Sequence, residues 1–185
     1  MSVSHPHLVL PVSARDHIAG PATAAATLLE YGDYECPACG AAHPIVKQIR
    51  EALGNRLRFV FRHFPLANMH PHAELAAEAA EAAGAQGKFW GMHDLLYERQ
   101  DALEDTDLVE RAEILGLDIP RFVRELSARI HAPRVREDFM SGVRSGVNGT
   151  PSFYINGIRH DGGYDLATLL DAVEMVLEAR HKGAV

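Results

Sequence analysis

The sequence predicts an α/β protein: one mixed sheet covered by helices, with an all-helical block inserted between its two halves. Three observations carry this. An apolar, strand-like run from Ala25 to Tyr34 passes directly into helical periodicity, with Ile45, Ile49 and Leu53 spaced at i, i+4, i+8. A second strand-like run, Leu57 to Phe64, closes a strand–helix–strand unit and is stopped by Pro65. Strand patterns then disappear until Ser152, where a hairpin and a terminal helix complete the sheet.

Each element has a local reason. Residues 1–21 carry Pro6, Pro11, Gly20 and Pro21 and read as an extended arm that pairs with a sheet edge or covers it. The first helix should begin at Pro37, since proline at the first helical position loses only an N–H that has no intrahelical acceptor. Pro44 lies further along it and predicts a kink. His72 to Ala85 is rich in Ala and Glu and has high helix propensity, with Gly84 and Gly87 at its end. Phe89, Met92, His93 and Leu96 mark one face of the next helix, and Leu108, Ala112 and Leu115 mark another. Asp118 can cap a helix with Pro120 near its start and Phe122, Val123, Leu126 and Ile130 inward. Pro133 interrupts before Val135, Phe139 and Val143 resume the pattern. Asn156-Gly157 between Ser152–Ile155 and Ile158–Asp161 is a two-residue hairpin signal. Asp165 caps a last helix with Leu166, Leu169, Leu170, Val173 and Leu177 on one face. The expected organisation is an arm over 1–21, a core from 22–66 and 146–185, and an inserted helical subdomain over 67–145.

The chain has only two cysteines, Cys36 and Cys39, spaced C-x-x-C at the strand-to-helix junction. A helix start presents unpaired N–H groups and the positive end of the macrodipole, and both favour a thiolate, the nucleophilic form of cysteine. One turn brings the second sulfur within reach of a mixed disulfide at the first. Cys36 is therefore the candidate attacking residue and Cys39 the resolving one, and the placement is a thioredoxin-like signal for redox chemistry. Two other readings stand beside it. His43 completes C-x2-C-x3-H, which offers three ligands where a structural zinc site wants four, and no second C-x-x-C supplies the rest. A structural disulfide across so short a loop would constrain the unfolded chain little.

Composition narrows the class. Of 185 residues, 47% are hydrophobic and 23% charged, which is ordinary for a globular chain. The formal net charge is −7 with no basic run, so neither nucleic acid nor an anionic membrane surface is an expected partner. No stretch has the length of a membrane span. The first residues lack the charged and apolar regions of a secretory signal, so a cytoplasmic location is expected, with an extracytoplasmic mature form left open.

The motif Cys36-Pro37-Ala38-Cys39 after an apolar strand, the helical insertion, and Gly149-Thr150-Pro151-Ser152-Phe153 together resemble the DsbA-like thioredoxin-fold disulfide oxidoreductases. The similarity runs from about Arg15 to Arg180. It implies a thioredoxin-like mixed sheet with an inserted α-helical subdomain. It implies a cis Thr150–Pro151 bond against the cysteine pair, with Thr150 offering its backbone to a substrate chain. It also implies that Glu30, six residues before Cys36, is a buried acid serving proton transfer at the resolving thiol. A salt bridge from Glu30 to Lys47 or Arg58 is the other reading, since a carboxylate in an apolar strand needs a task or a partner. His63 reads as a hydrogen-bonded core or rim histidine, and His5, His7, His70 and His72 read as solvated. Asp33, Tyr34 and Glu35 flank Cys36 and shape its rim.

The expected function is thiol–disulfide exchange through a mixed disulfide at Cys36, with protein thiols or disulfides or glutathione-like small thiols as partners. No cofactor and no metal is expected. The alternative is a thioredoxin-fold binding module or a redox or metal sensor that uses the cysteines as ligands. The pair departs from the strongly oxidising relatives, which have His between the cysteines; Pro37-Ala38 brings no charge. A weaker oxidant is therefore expected, with Glu35 opposing the thiolate if it points toward the sulfur.

Overall fold

In chain order the elements are β1 (His17–Ala19), β2 (Ala26–Gly32), α1 (Pro37–Leu53), β3 (Leu57–His63), α2 (Ala73–Gly84), α3 (Phe89–Glu98), α4 (Asp105–Ile114), α5 (Ile119–Ser127), α6 (Ala132–Arg144), β4 (Ser152–Ile155), β5 (Ile158–His160) and α7 (Leu166–Lys182). The computed structural model describes residues 6–182, and side chains as far as Arg180. Residues 1–5 of the expected arm, His5 among them, lie outside the described residues. The strands form one five-stranded mixed sheet in the order β1-β3-β2-β4-β5. The chain gathers into two compact units: residues up to Tyr31, Ala41–Arg62 and Ser141 onward, and residues Gly32–Gly40 with His63–Met140.

The first unit holds most of the sheet. All seven residues of β2 are buried, as expected of a central strand covered on both faces. Its run Thr27-Leu28-Leu29 is continuous rather than alternating for that reason. β4 pairs antiparallel with β2 (Tyr31 opposite Ser152) and with β5 (Ile155 opposite Ile158). Asn156 and Gly157 both take positive φ, 48° and 84°, which is the requirement of a type I′ hairpin turn. The Asn156 side chain also accepts a hydrogen bond from Thr27 N at 2.8 Å, tying the turn to β2. Ala42, Val46, Ile49 and Leu53 form the buried stripe of α1, and Leu169, Val173 and Leu177 that of α7. Leu166, expected on that face, is exposed in the first turn. α1 runs as one helix with Pro44 inside it.

The arm does pair with the edge. His17, Ile18 and Ala19 lie antiparallel to Phe61, Val60 and Phe59 of β3. A buried ion pair fixes this. Arg62 is fully buried, and its guanidinium donates to both Asp16 carboxylate oxygens, Nε to Oδ1 at 2.8 Å and Nη2 to Oδ2 at 3.1 Å. It also donates to Leu10 O, Pro11 O and the Tyr31 hydroxyl. Burial works against the Arg62 charge, but the hydrogen bonds to Asp16 and Tyr31 outweigh it and hold the pKa above its ordinary value.

The second unit is the helical block together with Gly32–Gly40. α2 packs on α3 and α5 and is nearly all small: Ala76, Ala79, Ala80 and Ala83 are fully buried. The Ala-rich composition, read as propensity, thus also allows close helix approach. Asp118 caps α5, accepting from Arg121 N at 2.9 Å. The inward face expected for α5 is corrected: Phe122 is buried, but Val123 and Ile130 are exposed. The helix ends at Ser127 and Arg129 takes φ 52°, so Ile130 leaves the face. Pro133 stands at the second position of α6, where it starts a helix. Val143, at the far end of that helix, is exposed.

Asp16→Ala leaves the Arg62 charge buried without its carboxylate and should cost about 3–5 kcal/mol. Asp16→Ala with Arg62→Met should recover part of this. Urea unfolding midpoints of the three proteins check both, and an equal loss in the single and double variants contradicts the ion-pair account.

Candidate active site

The site is built around the start of α1. The helix begins at Pro37, so Cys36 is its N-cap and Cys39 its third residue. Cys36 sits at the positive helix end, and Cys39 is fully buried while Cys36 keeps 7% of its surface. That difference suits Cys36 for attack and Cys39 for resolution. The structure carries the pair as two thiols, with no disulfide between them.

Two groups clamp the approach to the helix. Gln100, in the loop after α3, donates its amide Nε2 to Tyr34 O at 2.8 Å and to Cys36 O at 2.9 Å. Gly40 gives it room: a Cβ there would collide with Gln100 Oε1. On the other side, the buried Asp33 carboxylate accepts three hydrogen bonds, each 2.8 Å: from Glu35 N at Oδ1, and from Leu66 N and the His70 ring at Oδ2. Glu35 in turn accepts from His72 N at 2.7 Å and meets the His72 ring at 2.9 Å. The segment preceding the cysteines is thereby fastened to residues 66–72.

His70 and His72, expected to be solvated, are instead partners of these two acids. Burial lowers the His70 pKa, but the hydrogen bond to Asp33 and the charges of Asp33, Cys36 and Glu35 outweigh it and leave it raised. The hydrogen bond to Glu35 raises the His72 pKa as well. Glu35 is therefore committed to His72. The signal for this was the matched spacing of Asp33-x-Glu35 and His70-x-His72. Gln100 left no comparable trace.

Tyr34 lies in an aromatic cluster, with its ring 4.8 Å from Tyr97 and its hydroxyl 3.0 Å from His93 Nδ1. His63 is a buried, hydrogen-bonded core histidine: its Nε2 meets Glu81 Oε1 at 2.9 Å.

The remaining candidates lie in the first unit. Glu30 is buried in β2, opposite Phe153 of β4. Arg58, one of its two expected ion partners, directs Nε and Nη2 to Thr27 Oγ1 at 3.1 and 2.9 Å. The Thr150–Pro151 bond is cis. It leads into β4, whose Ser152 lies opposite Tyr31 and donates to Gly149 O at 2.7 Å.

A model of the family described as Thioredoxin matches residues 13–175. This chain belongs to the thioredoxin family. Among solved structures it is similar to a thioredoxin-like oxidoreductase from Silicibacter pomeroyi DSS-3, with 27% identity, 90% of this chain and 94% of that one covered, and a TM-score of 0.79. It shares the DsbA-like fold with Wolbachia pipientis α-DsbA1, at 20% identity, 96% and 98% coverage and TM-score 0.80. BdbD from Bacillus subtilis is similar at 23% identity, 87% and 92% coverage and TM-score 0.78. Among curated proteins, the Na(+)/H(+) antiporter NhaA 1 of Salinispora arenicola is 49% identical over 167 residues, 90% of this chain and 26% of that protein. Na(+)/H(+) antiporter NhaA of Herminiimonas arsenicoxydans is 44% identical over 168 residues, 91% and 26%. The chain thus spans about a quarter of the length of these curated relatives. Among the described residues, no helix is long and apolar enough to cross a membrane.

The clamp on α1 is testable by a double-mutant cycle. Gln100→Ala removes two hydrogen bonds from the segment entering α1 and should cost about 1–3 kcal/mol. Gly40→Ala displaces the same side chain. The double variant should therefore cost no more than the larger single change. Simple additivity in chemical unfolding shows that Gly40 and Gln100 act independently.

Proposed function

We propose that this chain is a thiol–disulfide oxidoreductase that cycles Cys36 and Cys39 between dithiol and disulfide. The observation that carries the reading is the placement of two thiols on the first turn of α1, one at the N-cap and one fully buried, in a thioredoxin-family chain. In the reducing direction the Cys36 thiolate attacks one sulfur of a substrate disulfide and expels the other as a thiolate, which takes up a proton. The Cys39 thiolate then attacks Cys36 sulfur, forms the Cys36–Cys39 disulfide and releases the second substrate thiol. Two electrons pass to the substrate. The oxidising direction is the reverse, and no step needs a cofactor. Protein thiols and disulfides, or glutathione-like small thiols, are the proposed partners.

Incubation with glutathione buffers of graded potential tests this. The two thiols should interconvert reversibly with one disulfide, and a chelator should not change the thiol count. Thiols that appear only on adding chelator support the metal-sensor reading instead.

The roles within the pair are separable. Cys36→Ser should abolish exchange, and Cys39→Ala should accumulate partners as mixed disulfides on Cys36, seen by non-reducing electrophoresis. Turnover by Cys36→Ser, with no trapping by Cys39→Ala, reverses the assignment. Glu30→Gln keeps the shape of the buried acid and removes its proton chemistry. It should slow resolution of the mixed disulfide about tenfold or more if Glu30 is a general base. Equal single-turnover rates across neutral pH leave Glu30 a structural residue.

A further inference from the structure

Of the two acid–histidine pairs beside Cys36, one is arranged to hold a proton. Asp33 Oδ2 already accepts from Leu66 N, and the buried carboxylate can only accept from His70. Nδ1 of His70 is therefore the donor at 2.8 Å, and Nε2 is the nitrogen left to gain or lose the second proton. The side chain keeps 14% of its surface, enough for exchange with solvent. The principal charges acting on the ring come from the segment ahead of α1: Asp33, Cys36 and Glu35. His72, in the same loop, is held by Glu35 and is influenced by Glu104 and Asp105.

Because the Cys36 charge favours the His70 cation, the His70 cation favours the Cys36 thiolate by the same free energy. With its pKa raised above 6.5, the cation and its contribution to stability are fully present below 6.5 and are lost as pH rises through the folded-state value. Ala38 places no cation between the cysteines, and His70 supplies one from the loop after β3.

We propose that His70, held by Asp33, is the counter-cation of the Cys36 thiolate, so that reducing the disulfide raises the proton occupancy of His70. The inference rests on the redox reading of Cys36 and Cys39. In the molecules whose His70 changes state, the disulfide with neutral His70 takes two electrons and two protons and becomes the Cys36 thiolate, the Cys39 thiol and the His70 imidazolium. Two molecules of a monothiol such as glutathione supply those electrons and protons and leave as their disulfide. His70 is a positioning residue in this scheme and is never bonded to substrate.

The test follows the histidine ring proton resonances of the full chain against pH in the oxidised and the reduced protein, with His70 assigned by its loss in His70→Asn. The His70 midpoint should lie higher in the reduced protein by roughly half a pH unit or more, because the disulfide carries no charge and the Cys36 thiolate carries one. The His72 midpoint should move less. His70→Asn retains an amide donor for Asp33 without a charge, and the pH midpoint of Cys36 alkylation should rise in that variant. An identical His70 midpoint in both redox states, or an unchanged Cys36 midpoint in His70→Asn, overturns the proposal and leaves His70 as a latch on the loop. A pair that glutathione cannot cycle at all removes the exchange reading itself and this inference with it. A pair that cycles normally beside an indifferent His70 removes only the latter.

Discussion

The geometry at the cysteines depends on one buried carboxylate. Asp33 follows β2 directly, and its oxygens satisfy the amides of Glu35 and Leu66 as well as the His70 ring. Each of these three bonds replaces a water that the buried carboxylate has lost. The turn from Asp33 to Cys36 is thereby held, with Cys36 N on Asp33 O at 3.2 Å, and α1 can start at Pro37 in a defined direction. Asp33 and Gln100 secure the chain on either side of that point.

A second buried charge performs a comparable task in the sheet. Arg62 joins β3 to the arm through Asp16 and through two carbonyls of residues 10 and 11. A three-residue strand such as β1 has too few ladder bonds to hold its register alone. The ion pair specifies which residues of the arm meet β3, a use of buried charge better attested for register than for stability. In both places a polar group that looks costly in an apolar setting organises backbone that apolar packing would leave undirected.

The histidines show how charge is distributed around a cysteine pair that has no histidine between its members. Ala38 brings no charge between the cysteines, and the histidines that meet the acids beside Cys36 stand in the loop after β3. His70 meets the Asp33 side of the motif and His72 the Glu35 side. A judgement of charge from the motif dipeptide alone therefore leaves out the two acid–histidine pairs beside Cys36. It also mistakes Glu35 for an unopposed negative charge.

Much of this protein was legible from the sequence because the signals are local. Hydrophobic period, the proline at the start of α1, the Asn156-Gly157 turn and the C-x-x-C spacing all act over a few residues, so they place the strands, helices and cysteines without knowledge of the fold. The inward face of α5 was misjudged where the chain left the helix at Ser127 and φ turned positive at Arg129, which periodicity does not register. Tertiary structure alone decided the partners of Asp33, Glu35, Gln100 and Arg62. Apart from the bond between Asp33 and Glu35 N, those contacts join residues 31 to 66 positions apart in the chain, and a hydrogen bond at that separation depends on packing that no local pattern encodes.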